Sequence, residues 1–346
     1  MPAGQHNGDV RRPLKVGIQL PEVERVVRWP ELADMARTAE EIGLDSLWVG
    51  DHLLYRDRGP MPVAPWEAWS QLAALAAITT RVEIGPLVAS TSFHNPAMLA
   101  AKANAVDEIS GGRLILGLGA GWNETEYQAF GFPYDHRVSR FEEAFTVIRT
   151  LLRDGRADLD GAYTKVDDLP LLPPPRRPGG PPLMVGSIGP RMLEITLPHV
   201  DAWNAWHEWF GNSVEGYRPL RDRIDAACRS VGRDPAEVER TVALLVGFAG
   251  AVGRPSGNSE PDSPPLSGED PVALAATLGD FAREGVAHVQ LVLDPITVES
   301  IRALQPMLAA LDRQVGAPPW GATATRDTGP ASPARGSRAR STRALE

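Results

Sequence analysis

The chain has 346 residues, 43% of them hydrophobic and 23% charged, with a formal net charge of -9 and a pI of about 5.4. That balance is the balance of an ordinary globular protein, long enough for two domains or one large α/β barrel, and its acidic sign excludes nucleic acid as a partner, which would need a basic face. The one cysteine, Cys228, cannot form an intramolecular disulfide and fits a reducing compartment, while the polar start from Met1 to Arg12 and the lack of any apolar run near 18 residues predict neither a leader peptide nor a membrane span and hence a cytoplasmic location.

After a flexible start over residues 1–13, short apolar runs alternate with longer amphipathic segments. Leu14 to Leu20 is a strand, and Pro30 to Ile42 a helix with proline in its first turn and Gly43 just past its end. Ser46 to Gly50 is the second strand, emptying into Asp51-His52, and Trp66 to Thr79 the next helix. Arg81 to Ser90 reads as strand three, made irregular by Pro86, and Pro96 to Ile109 is helical. Strand four follows from Arg113, and a helix runs from Arg137 to Arg153, with Phe141, Ala144, Phe145, Ile148, Leu151 and Leu152 at helical spacing. Gly155 to Gly180, rich in Pro, Arg and Gly, reads as a loop insertion. Pro182 to Gly186 is strand five, with a helix to Leu197. His199 to Asn204 is a weaker strand six, and Ser213 to Val231 a long helix. Thr241 to Phe248 is strand seven, a mobile low-complexity insertion spans Ala251 to Ser267, and Pro271 to Glu284, Val286 to Leu293 and Thr297 to Leu311 give a helix, strand eight and a closing helix. From residue 316 the chain loses apolar periodicity and reads as a disordered, solvated tail. Eight strands, each followed by a helix, predict a (β/α)8 TIM barrel with loop insertions over residues 14–315.

The stretch from Arg113 to Gly131 has the character of a strand delivering its end to a ligand, because the apolar run breaks into Gly117, Gly119 and Gly121 and then into a segment that can start a helix. It is not a dinucleotide-binding turn: the position of the third glycine is held by Trp122 counting from Gly117 and by Glu124 counting from Gly119. The remaining readings are glycines that let a strand pack tightly and glycines that admit a planar group.

In a barrel the site lies at the carboxyl ends of the strands. Strand two ends in Asp51-His52, where the imidazole could move a proton or donate a hydrogen bond near neutral pH, or where Asp51 could cap a helix and His52 stand as a surface side chain. Strand three ends in Val88-Ala89-Ser90, and strand four in Ala120-Gly121-Trp122-Asn123, where Trp122 could equally be core packing. Strand five gives Gly186-Ser187-Ile188-Gly189 at a helix start, suited to a phosphate or an ordinary βα turn. No metal-ligand spacing and no Gly-x-Ser-x-Gly nucleophile turn occurs, so no metal site is expected.

Taken together, Val16 to Ile18, Ser46 to His52, Ile84 to Pro96, Gly112 to Trp122, Glu126, Phe130-Gly131, Arg140 to Glu143 and Gly186 to Asn204 resemble the luciferase-like flavin and deazaflavin oxidoreductases, in particular the branch that uses coenzyme F-420. The resemblance spans Leu14 to Leu311. It implies a coenzyme ring lying across the strand ends. Leu87, Val88 and Ala89 would form a bulge behind that ring, often with a non-prolyl cis peptide, and Asp51 and His52 would reach ring and reaction centre, His52 as proton donor or hydrogen-bond orienter. Ala120, Gly121, Trp122 and Asn123 would line the ring and ribityl side, and Gly186, Ser187, Ile188 and Gly189 would take the phosphate. The chain departs from the sugar-phosphate dehydrogenases of that branch, which have glutamate where Trp122 stands and an aromatic residue where Leu53-Leu54-Tyr55 follows His52. The implied activity is hydride transfer between F-420 and a small organic substrate. Two alternatives stay open: an FMN-dependent monooxygenase partnered by a flavin reductase, and a barrel that binds flavin without turnover. A homodimer is the assembly implied.

Overall fold

The computed structural model describes residues 12–56, 61–252 and 263–314. The expected flexible start up to Arg11, the tail and the centre of the insertion at 251–267 lie outside them.

The chain begins with β1 (Lys15–Gln19), α1 (Trp29–Glu41), β2 (Ser46–Val49) and α2 (Ala68–Ile78). The second helix starts later than its apolar run, because Glu67 takes the capping position and accepts the amides of Trp69 and Ser70. The expected third strand is two pieces, β3 (Glu83–Pro86) and β4 (Ala89–Ser90), separated by a cis peptide between Leu87 and Val88. α3 (Pro96–Ser110) is capped by the Asn95 side chain at Met98 N and closed by Gly111 at φ 73°, in the left-handed region that favours glycine. β5 (Leu116–Gly119), a short α4 (Glu124–Phe130) and the long α5 (Arg137–Asp154) come next.

Where a loop was expected, Arg156–Asp160 and Lys165–Pro170 form β6 and β7, an antiparallel hairpin. The alternation in Arg156-Ala157-Asp158-Leu159-Asp160 is short, and Asp167-Asp168 interrupts it in the second strand, so the Pro-, Arg- and Gly-rich surroundings mask a hairpin that packs Ala157, Leu159, Val166 and Leu169 on the core. Glu143 on α5 accepts the amides of Ala162, Tyr163 and Thr164 and so ties the hairpin turn to the helix.

The chain continues through β8 (Leu183–Val185), α6 (Pro190–Thr196), β9 (Ala202–Ala205), α7 (Val214–Ser230), β10 (Glu239–Gly247), β11 (Leu266–Ser267), α8 (Pro271–Arg283), β12 (Val286–Asp294), α9 (Val298–Ala303) and α10 (Gln305–Asp312). The described end of the second insertion is ordered into β11, which pairs with β10, because Leu266 and Ser267 extend the sheet edge there.

The main sheet runs in the order β3-β2-β1-β12-β10-β9-β8-β5-β4 with parallel pairings. Its two ends meet: Ile84 accepts from Ile115 N at 2.9 Å and donates to Arg113 O at 3.0 Å. The fold is therefore the (β/α)8 TIM barrel that the alternation predicts. The large apolar core lies between strands and helices, built from residues such as Ile18, Leu47, Leu72, Phe141, Trp203 and Phe281. Arg113 holds the lower end together, donating to the carbonyls of Ala76, Thr79, Val82 and Ser110.

The barrel interior is partly polar. Ser46 Oγ lies 2.7 Å from His288 Nε2 and accepts from Trp48 Nε1, while Asn204 Nδ2 donates to Thr241 Oγ1 and Gln290 Oε1, each at 2.7 Å. Burial, and after it the charge of Lys15, pushes the His288 imidazole down to about 3. Unfolded, the same ring takes a proton near pH 6.5, so the unfolded chain binds more protons between those limits. This contribution is complete above pH 6.5 and is lost as pH falls towards 3. Urea unfolding is expected to show a loss of about 2 kcal/mol between about pH 7 and pH 5 from this residue, and the difference between the two pH values should shrink in a His288→Asn variant.

Candidate active site

The carboxyl ends of the strands open into a cavity of about 560 Å³. Its floor is apolar. Leu87 and Val88, on either side of the cis peptide, pack on Trp48, Met184 and Ala202 inside the barrel. Val88 fills space that three glycines leave. A Cβ at Gly117 would lie 2.9 Å from Val88 Cγ1 and 2.3 Å from Pro86 O, one at Gly119 2.9 Å from Val88 Cγ2, and one at Gly186 3.3 Å from Val88 Cγ1. Gly117 and Gly119 thus serve the bulge of the third strand rather than opening room for a ring. Gly121 is required for a different reason: its φ is 74° and a Cβ would come within 2.1 Å of Tyr127 Oη and 2.5 Å of Ser90 Oγ.

Two buried carboxylates hold the loops above this floor. Asp51 Oδ2 accepts from Ser90 N and pairs with His94 Nε2, both at 2.9 Å, so the end of β2 is fastened to β4. Glu126, fully buried on α4, accepts the amides of Leu53 and Leu54 and faces His52 Nδ1 at 3.1 Å. Asn123 adds a third tie, donating to Leu54 O at 3.0 Å. α4 and the loop after β2 are therefore one unit, and His52 is its projecting side chain.

Around His52 the surroundings are acidic. Its Nε2 lies 3.9 Å from Glu22 Oε1, and Glu22 in turn accepts from Tyr55 Oη at 2.6 Å and Gln19 Nε2 at 3.2 Å. Trp122 stands edge-on to the imidazole, ring centroids 5.7 Å apart, and is 55% exposed, which rules out core packing. Burial works to lower the proton affinity of His52, but Glu22, Glu126 and Asp51 together outweigh it and hold the imidazole above its ordinary value. Because carboxylate oxygens only accept, Nδ1 carries a hydrogen towards Glu126, which leaves Nε2 as the nitrogen on the Glu22 side.

Of the residues expected at the site, Asp51, His52, Leu87, Val88, Ala120, Gly121, Trp122, Gly186, Ser187, Ile188 and Gly189 line this cavity. Ala89 and Asn123 do not. Ala89 is fully buried in the outer core, since a strand sends successive side chains to opposite faces, and the Asn123 amide is turned to Leu54. Sequence reasoning missed Glu22, Trp206, Glu208, Trp209 and Arg137 as lining residues, and named Glu126 only as a matching position. A signal existed for part of this set: the aromatic run Trp206-His207-Glu208-Trp209 follows directly on strand six.

Ser90 contributes one more feature. Ser90 lines the cavity, and its buried Oγ has no hydrogen-bond partner among the described residues.

A model of the family described as luciferase-like monooxygenase matches residues 14–249. The chain belongs to that family. This luciferase-like chain is 30% identical over 211 residues to the 5,10-methylenetetrahydromethanopterin reductase of Methanolobus tindarius, covering 60% of itself and 59% of the relative. It is 31% identical over 229 residues to the F420-dependent glucose-6-phosphate dehydrogenase of Amycolatopsis mediterranei (strain U-32), covering 63% of itself and 65% of the relative. The alignments thus span about six-tenths of the length of these curated relatives. In fold the luciferase-like barrel matches the solved structure of an F420-dependent secondary alcohol dehydrogenase in complex with an F420-acetone adduct, with a TM-score of 0.72 and 19% identity over 86% of this chain and 99% of the other. Among the described residues no helix is long and apolar enough to cross a membrane.

Replacing Glu126 with glutamine removes one of the charges that raise His52. The imidazole of Glu126→Gln should titrate at lower pH than that of the parent, read from its ring proton shifts by NMR; an unchanged midpoint would show that Glu126 does not set its proton affinity.

Proposed function

We propose that the chain is an oxidoreductase that moves a hydride between the deazaflavin coenzyme F-420 and a small organic substrate. The observation that carries this reading is a single cavity at the strand ends in which an apolar floor, an unpartnered buried hydroxyl and a carboxylate-flanked imidazole converge. The two F420-dependent dehydrogenases among the matched proteins support the choice of cofactor. The residues present fit such a group. Leu87 and Val88 offer a flat apolar backing, Ser90 Oγ is a buried hydroxyl without a partner among the described residues, and Ser187 and Ile188 line the cavity where a phosphate would sit.

The bound deazaflavin supplies the hydride chemistry, and the protein supplies position, polarity and a proton. His52 holds that proton. Glu126 fixes the ring through Nδ1, and the charges of Glu126 and Glu22 keep the imidazole protonated to higher pH than a free histidine, so Nε2 can deliver a proton to a substrate oxygen or orient it. Asp51 is assigned to positioning rather than to the reacting atoms, because its buried carboxylate is engaged by Ser90 N and His94. Trp122, Trp206 and Trp209 wall the substrate side and limit water.

Titration of the purified protein with F-420 and with FMN tests the cofactor. Tight binding of F-420 with weaker binding of FMN is expected; the reverse order would overturn the assignment. The family's description as monooxygenase favours one second reading, an FMN enzyme supplied by a separate reductase. Oxygen consumption with reduced FMN and substrate would select it. In a His52→Ala variant turnover should fall by about 10²- to 10⁴-fold, the usual contribution of a general acid, with cofactor affinity changed much less; equal losses of both would remove the proton role.

A further inference from the structure

On the outer wall of the barrel α5 and α6 enclose a second cavity, of about 440 Å³, which shares no lining residue with the one at the strand ends. Phe145 and Arg149 face it from α5, Arg191 and Glu194 from α6, and His199 from the turn that follows. The charges there are unevenly satisfied. Arg191 donates to Glu142 at 2.8 Å, whereas Arg149 forms no ion pair with any described carboxylate, and its buried Nε has no hydrogen-bond partner. Glu194 lines the same cavity without closing on Arg149, so the helix sequence has not provided an internal partner for that guanidinium.

The neighbours of Arg149 add to its demand for an acceptor. The His199 ring lies 6.3 Å from that of Phe145. Burial lowers its proton affinity first, and the positive charges of Arg149 and Arg233 lower it further. Arg233 is held in place by its bonds to the carbonyls of Pro198 and Val200. Arg149, without a carboxylate partner among the described residues, lines the cavity together with the His199 imidazole, and a guanidinium fork suits a carboxylate, sulfate or phosphate, which accepts two parallel N–H bonds.

We propose that the cavity between α5 and α6 binds a small oxyanion, gripped by Arg149 and His199. The site is independent of the redox assignment. His199 shares the cavity with Arg149, the Glu142–Arg191 pair and Glu194, and the Arg233–Glu237 pair lies beside it in the turn after α7. A bound anion offsets the charge of Arg149 and raises the proton affinity of His199, so anion affinity rises as pH falls.

Isothermal titration with sodium sulfate, at ionic strength held constant with chloride, tests this, since sulfate itself does not titrate between about pH 6 and 8. One saturable site is expected, tighter at the lower pH. Arg149→Gln should weaken it at least about ten-fold, equivalent to 1.4 kcal/mol, while Arg149→Lys, which keeps the charge, should retain saturable binding; that contrast separates loss of the site from loss of the fold. His199→Gln should bind sulfate at both pH values without the difference between them. Sulfate binding that does not saturate, or that is unchanged in Arg149→Gln, would overturn the proposal.

Discussion

Val88 occupies the space left by missing side chains on β5 and on the turn that follows β8, and the site is arranged around that fit. Gly117, Gly119 and Gly186 each lack the Cβ that would press on its methyl groups. The strand that carries it breaks at the preceding peptide and resumes as β4, which is then fixed by the carboxylate of Asp51. Packing at this density leaves little freedom for the floor of the cavity to shift, so whatever rests on Leu87 and Val88 rests on a rigid surface. The substrate side is built differently, from loops and aromatic side chains above that floor.

The two buried carboxylates do parallel work with different partners. Asp51 joins the ends of β2 and β4, and Glu126 joins α4 to the loop after β2. Each carboxyl group is met by backbone N–H and an imidazole, one amide for Asp51 and two for Glu126, which offsets the cost of burying it away from water. The ties set the imidazole of His52 beside the aromatic rim, and the field of the same carboxylates tunes its proton affinity. Structural and chemical roles thus fall on the same atoms.

The barrel was legible because parallel strands buried on both faces read as short continuous apolar runs, separated by amphipathic helices at regular distance. The strand ends were legible for the same reason, since each apolar run has a definite carboxyl end. Glu126 was harder. In Asn123-Glu124-Thr125-Glu126 it looks like one more acid in the first turn of a helix, and only contact with a loop more than seventy positions earlier makes it a buried ligand for amides and imidazole. The sequence left the glycines open between two readings for a related cause: their neighbour Val88 is distant in sequence, so nothing local showed that the space they leave is filled. The hairpin of β6 and β7 stayed hidden because its apolar face is short and interrupted by Asp167-Asp168, and because its turn is tied to Glu143, outside the hairpin.

The bonds from α4 to the loop after β2 also bear on how such a chain can change over evolutionary time. Leu53, Leu54, Asn123 and Glu126 lock two connections of the barrel to each other. An insertion in either would pull His52 away from its partners unless the other connection lengthened in step. The hairpin at 156–170 is held by Glu143 at its turn and by Ala157, Leu159, Val166 and Leu169 on the outer core, and these contacts are separate from the ties of His52. A change of length in that hairpin therefore leaves the imidazole where it is, whereas on the α4 side two connections would have to change together.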